Sequence, residues 1–118
     1  MPELHKLTPS LGVLQDRGFK VALVTDGRMT GASGKVTAAI HVVPEAAVGG
    51  ALAKVRNGDI ITLDATKGLL SIDVSESDFS SREAVVLKEK CGRMGFGRDL
   101  FTSLRLGVQS AEAGAGAY

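Results

Sequence analysis

Tryptophan is absent, aromatic residues make up only 4% of the 118 residues, and there is a single cysteine. With so few rings the core must be built from Val, Leu, Ile and Ala. A nucleic-acid groove would also lack the stacking platforms on which bases rest. The formal net charge is +1, and no run of Lys and Arg is interleaved with aromatics, so the basic stripe such a groove needs is missing too. One cysteine excludes an internal disulfide and cannot by itself supply a thiolate cluster site. Its setting, Glu89-Lys-Cys-Gly-Arg93, would lower the thiol pKa if Lys90 and Arg93 faced it; the plainer reading is a cysteine near a helix end. No apolar run approaches the roughly 20 residues that span a bilayer. The first residues lack the basic segment and apolar stretch of a secretion signal. A reducing, cytoplasmic setting is therefore expected.

What is present suits one domain. Hydrophobic residues make up 44% and charged residues 23%, which is globular composition rather than disorder, and the length allows a modest core. The expected domain runs over residues 1–109. Ser110-Ala-Glu-Ala-Gly-Ala-Gly-Ala-Tyr118, made mostly of small residues, reads as a flexible tail (110–118).

Along the chain, Leu4, Leu7, Leu11 and Leu14 recur at helical spacing, with Thr8-Pro9 as a cap and first-turn proline and Arg17-Gly18 as the stop. Phe19 to Thr25 reads as a buried strand, and a second apolar group spans Val36 to Val43. Pro44-Glu-Ala-Ala starts a short helix that Gly49-Gly50 breaks, and Ala51 to Val55 is expected as a further strand. Arg56-Asn-Gly-Asp59 is a turn. Ile60–Asp64 and Leu69–Val74, joined through Thr66-Lys-Gly68, predict a hairpin. Ser75-Glu-Ser-Asp78 caps a helix expected to run into Leu87 and Lys90, and a last helix is expected from Arg98 to about Leu106. Strands in the middle with helices towards both ends argue for an α+β or mixed α/β domain, and against a plain Rossmann unit.

The stretch with most chemical content is Asp26-Gly-Arg-Met-Thr-Gly-Ala-Ser-Gly34, directly after Val21-Ala-Leu-Val24. Glycines at a strand end let backbone N–H groups turn inward around carboxylate or phosphate oxygens. Arg28 and Lys35 add positive charge, and Thr30 and Ser33 add hydroxyl donors. The stretch lacks the spacing and the Gly-Lys-Ser/Thr ending of a P-loop. Taken alone, it is open between an ordinary turn and a binding loop. His41 reads first as a partly buried structural histidine, Asp26 as an anchor of its own loop, and Asp59 and Asp64 as turn residues.

At these residues the chain resembles a known family. Met1-Pro-Glu-Leu-His-Lys-Leu-Thr-Pro9, Val21-Ala-Leu-Val-Thr-Asp-Gly-Arg-Met-Thr-Gly-Ala-Ser-Gly-Lys35, Ala39-Ile-His-Val-Val-Pro-Glu-Ala46, Val55-Arg-Asn-Gly-Asp-Ile-Ile61 and Arg98-Asp-Leu-Phe-Thr-Ser-Leu-Arg105 look like the carboxy-terminal domain of the dihydroxy-acid and phosphogluconate dehydratases. Within that family the first two runs point to members acting on 6-phosphogluconate. The resemblance implies a swivelling β/β/α domain with a partly open β-barrel. Its active site would form against an amino-terminal domain that carries an iron–sulfur cluster, and Mg²⁺ would be bound as well. The complete enzyme would be a homodimeric lyase, and this chain would be inactive alone. It further implies that Glu3 is a metal ligand and that Thr30 stands where the family has a serine acting as base. Arg28, Gly31, Ser33, Lys35 and His41 become substrate contacts. Threonine keeps the hydroxyl but adds a methyl that restricts χ1. Cys91 matches no cluster ligand of the family. Another sugar-acid or dihydroxy-acid substrate, or a non-catalytic anion- or partner-binding module, are the competing expectations.

Overall fold

A computed structural model describes residues 4–29, 34–86 and 95–117. The chain enters through a 3-10 turn, Leu4–Leu7, that runs directly into helix α1, Thr8–Asp16. Leu7 is already in helical geometry (φ −76°, ψ −29°), so Thr8 is not the extended cap expected of it, and its buried Oγ1 has no partner among the described residues. Pro9 still sits in the first turn, where its missing N–H costs nothing. At the other end Gly18 adopts φ 90°, which lets Gly18 N–H reach Gln15 O at 2.9 Å and Phe19 N–H reach Leu14 O at 3.1 Å.

Strand β1 is Ala22–Val24, shorter than the expected Phe19–Thr25 and only partly covered, since Phe19 is exposed. It pairs in parallel with β2, Thr37–Ala39, in the register Ala22↔Thr37, Leu23↔Ala38 and Val24↔Ala39. The contact continues past the strands. Thr25 N–H donates to Ala39 O at 2.9 Å and Val42 N–H donates to Thr25 O at 3.1 Å. The glycine-rich stretch is thus the crossover between two parallel strands, and both of its ends are fixed by the same small sheet.

Beyond β2, Ala46–Val48 forms the expected short helix, as a 3-10 turn, and Gly49 ends it at φ 87°. Ala51–Lys54 is a second 3-10 turn, which corrects the expected strand there. The cause lies in the preceding glycine. Gly50 packs so closely on the Pro44 carbonyl oxygen that a Cβ would overlap it, and Gly50 N–H donates to Glu45 O at 2.9 Å. The chain is folded back on itself at this point, and an unbranched Ala-Leu-Ala-Lys run carries it on in a helical sense.

Strands β3, Ile61–Asp64, and β4, Leu69–Ile72, form the expected antiparallel hairpin, with Ile61 opposite Ile72 and Asp64 opposite Leu69. Asp64 Oδ1 accepts from the N–H groups of Thr66 and Lys67 at 3.0 Å each, which builds the turn. Helix α2, Glu76–Ser81, starts as expected, with Ser75 Oγ accepting from Asp78 N–H at 3.2 Å. It ends at Ser81 rather than running towards Leu87 and Lys90, which lie outside the described residues. Arg82 leaves the helix to pair with Asp59, and Val85 N–H bonds Ala53 O at 2.8 Å. The expected last helix is two, α3 (Phe96–Leu100) and α4 (Thr102–Gly107), interrupted at Phe101.

Mixed α+β architecture therefore holds, with two separate two-stranded sheets among the described residues. An apolar cleft of about 260 Å³ lies between the end of β1, the 51–54 turn, the hairpin and α2, lined by Val24, Leu52, Val55, Ile72 and Phe79 among others. Burial is shallow. Met29 and Ala53 are the buried apolar residues among those described, and Phe96, Leu100, Phe101 and Leu106 stand exposed on the last two helices and the joint between them. The accessible surface is 9110 Å². A self-contained chain of this size would expose about 6,000 Å². No described helix is long and apolar enough to cross a membrane.

Candidate functional site

The β1 end delivers Thr25 to Met29 alongside residues 39–42, and side chains from both segments lock the shoulder of the glycine-rich stretch. Thr25 Oγ1 accepts from Gly27 N–H at 2.9 Å. A Cβ on Gly27 would meet the tip of the Leu4 side chain, which would have to turn aside to admit it. Met29 N–H donates to His41 Nε2 at 2.9 Å. Accepting that bond places the imidazole proton on Nδ1 and commits the Nε2 lone pair to the backbone. His41 holds its ring there at φ 56°, a left-handed geometry that a side chain with a Cβ disfavours. His41 is therefore a backbone anchor of the loop, although it is exposed rather than partly buried.

Among the described residues, Asp26 reaches beyond its own loop. Its Oδ2 accepts from Ala46 N–H at 2.6 Å and so ties the 46–48 turn to the end of β1. Arg28 is half-buried, and its Nη2 donates to Gln109 O at 3.1 Å and lies 3.8 Å from Glu45 Oε1. Lys35 is turned towards α1. Its ammonium meets Asp16 Oδ2 at 2.7 Å, its carbonyl accepts from Gln15 Nε2 at 2.8 Å, and its stem passes the buried Gly12. Of the expected substrate contacts, Arg28 and His41 thus share one shoulder, while Lys35 takes part in fastening the second half of the crossover to α1. Glu3, Thr30, Gly31 and Ser33 lie outside the described residues, as does Cys91. The apolar cleft and the shallower one beside Phe19 and Lys20 are lined by none of Arg28, Lys35 and His41.

Glu45 was not singled out from the sequence. Its carboxylate faces Arg28 and also accepts from Ala111 N–H at 3.3 Å, a contact across 66 residues. The only local signal was its place in the Val-Pro-Glu-Ala run after His41.

The second polar cluster is structural. Asp59 accepts from Arg82 Nη1 at 2.6 Å, from Arg82 Nη2 at 3.1 Å and from Arg56 N–H at 2.7 Å. The Arg82 hydrogen bonds, then the Arg56 N–H, hold the Asp59 carboxyl below the ordinary carboxylate range. The same carboxylate raises the Arg82 guanidinium pKa. The arginine stacks 5.8 Å from the Phe79 ring centroid and staples α2 to the turn before the hairpin.

These residues do not fit an iron–sulfur cluster. Such a group takes several thiolates, and the chain has one cysteine. Among the described residues no three of His, Cys, Asp and Glu are grouped as metal ligands.

Comparison with known proteins adds the following. Residues 1–115 match the family described as dihydroxy-acid/6-phosphogluconate dehydratase C-terminal. A phosphogluconate dehydratase of Pseudomonas aeruginosa is 57% identical over 98% of this chain and 19% of its own length. One from Escherichia coli K12 is 56% identical over the same shares. A dihydroxy-acid dehydratase of Prochlorococcus marinus is 42% identical over 71% of this chain and 15% of its own length. The chain spans about a fifth of the length of the phosphogluconate dehydratases it matches.

Proposed function

The chain belongs to the dihydroxy-acid/6-phosphogluconate dehydratase C-terminal family, and from that membership we propose that it is the carboxy-terminal domain of an enzyme that removes water from 6-phospho-D-gluconate. The product is 2-keto-3-deoxy-6-phosphogluconate. The C2 proton and the C3 hydroxyl leave as water, and the resulting enol tautomerises to the ketone. One observation carries the reading: 57% identity over 98% of the chain to a protein named phosphogluconate dehydratase. The dihydroxy-acid dehydratase is less similar, at 42% over 71%, so a phosphorylated sugar acid is preferred to a simple dihydroxy acid.

In this proposal the swivelling β/β/α domain, with its partly open barrel, closes on an amino-terminal domain in a homodimeric enzyme. The amino-terminal domain supplies the iron–sulfur cluster. Thr30 removes the C2 proton, Glu3 contributes to the Mg²⁺ site, and Arg28, Gly31, Ser33, Lys35 and His41 form the substrate side of the loop. The large exposed apolar surface supports closure against another domain. The His41–Met29 hydrogen bond supports a loop whose backbone is set in advance, so that less is spent on ordering it when substrate arrives.

The experiment separates domain from enzyme. The 118-residue chain, supplied with 6-phosphogluconate, iron and Mg²⁺, should form no keto acid, and the same chain joined to a cluster-bearing amino-terminal domain should form it. Turnover by the chain alone would sink the proposal.

A further inference from the structure

The last residues, expected as a loose tail, close on themselves. Gln109 N–H donates to Gly116 O at 2.8 Å, Ala115 N–H to Ser110 O at 2.9 Å, and Ala113 N–H to Ser110 Oγ at 3.2 Å. Among the described residues, two bonds attach this loop to the body. The Gln109 carbonyl accepts from Arg28 Nη2 at 3.1 Å, and Ala111 N–H donates to Glu45 Oε1 at 3.3 Å. The Glu45 oxygen in turn lies 3.8 Å from Arg28 Nη2. Among the described residues, Nε and Nη1 of Arg28 have no partner, and the side chain is 32% exposed.

We propose that the 109–116 loop and Glu45 are positioning elements for Arg28. They hold one corner of the guanidinium on a neutral carbonyl and beside a carboxylate, and leave its Nε and Nη1 donors presented to an oxyanion, the phosphate or carboxylate of the substrate. This rests on the reading of Arg28 as a substrate contact. The physical reason is preorganisation. A free arginine loses several rotors when it binds, whereas one already held at Nη2 loses fewer for the same pair of charge-assisted hydrogen bonds. The direct hydrogen bond goes to a neutral carbonyl, and the Glu45 carboxylate, at 3.8 Å, offsets only part of the charge that the ligand needs.

Ala115 offers a clean handle because it is held at φ 55°, where proline cannot sit and glycine sits without strain. Ala115→Pro also removes the N–H that closes the loop on Ser110. The 118-residue chain is titrated with inorganic phosphate, and separately with acetate, while the Arg28 Nε–H signal is followed by NMR. Gln109 and Ala111 amides report the loop, and the β3–β4 amides report the fold. Ala115→Pro should weaken the preferred anion by roughly three- to tenfold, the scale of one net hydrogen bond. Ala115→Gly should bind at least as well as the parent. Should Ala115→Pro lose the hairpin signals, Ala111→Pro makes the same comparison by removing the N–H that Glu45 accepts. Equal affinity in the opened and closed loops would reduce the loop to packing and overturn the proposal, while the anion reading of Arg28 stands. Tighter binding in the opened loop would make it a competitor and overturn it equally. No response of Arg28 to either anion in the parent chain would remove the anion reading itself, and the proposal with it.

Discussion

The backbone N–H of Met29 and the imidazole of His41 meet at 2.9 Å, across the crossover that joins the two parallel strands. Met29 is one of two buried apolar residues among those described, but the bond its N–H makes is part-buried and lies under an exposed imidazole. His41→Ala should therefore cost about 0.5–1.5 kcal/mol, the net worth of a hydrogen bond whose donor water can reach once the ring is gone. His41→Gly loses the same bond but relieves the left-handed backbone at φ 56°. It should be less destabilised than the alanine variant by about 1 kcal/mol. Urea denaturation of the three proteins checks both the size and the order. An alanine variant as stable as the parent would show that the loop does not need this anchor.

Asp59 makes stability depend on pH in a definite direction. Its folded pKa lies below the ordinary 3.8, chiefly through Arg82 and then the Arg56 N–H. The contribution is complete above that ordinary value and is lost as pH falls through the folded one. The melting temperature of the parent should fall below about pH 4, whereas Asp59→Asn should start lower at neutral pH and show a shallower acid slope. Parallel acid slopes in thermal scans of the two proteins would contradict this assignment.

Legibility in the sequence followed contact range. The hairpin, α1 and the start of α2 were legible because each is set by neighbours within a few residues: the Asp64 turn, Gly18, and Ser75 as cap. The errors fall where distant residues decide. Ala51–Lys54 has the composition of either a strand or a helix, and the close approach of Gly50 to Pro44 selects the latter. Helix α2 stops early because Arg82 has a partner 23 residues away. The Arg28–Gln109 and Glu45–Ala111 contacts span 81 and 66 residues, and small-residue composition at the end of the chain gave no hint of them. The glycine-rich stretch itself was legible as chemistry, but its neighbours in the same sequence resemblance were needed to decide between turn and site.

Thr30 carries the sharpest residue prediction for the complete enzyme. With this domain joined to a cluster-bearing amino-terminal domain, Thr30→Ala should lower kcat by roughly 10²- to 10⁴-fold, the scale of a positioned proton-transfer group. Thr30→Ser should equal or exceed the parent, because it keeps the hydroxyl and frees χ1. Near-normal kcat in the alanine enzyme, with its cluster intact, would exclude Thr30 as the base and shift the role of the loop to substrate positioning.

The central claim is that this domain serves an enzyme for a phosphorylated sugar acid. It is tested most directly by comparing kcat/KM for 6-phosphogluconate and for gluconate in the joined enzyme. Losing the phosphate removes charge-assisted hydrogen bonds of about 1.5–3 kcal/mol each, so gluconate should be used at least roughly 10²-fold less well. Equal or better turnover of gluconate, or of a simple 2,3-dihydroxy acid, would contradict the account.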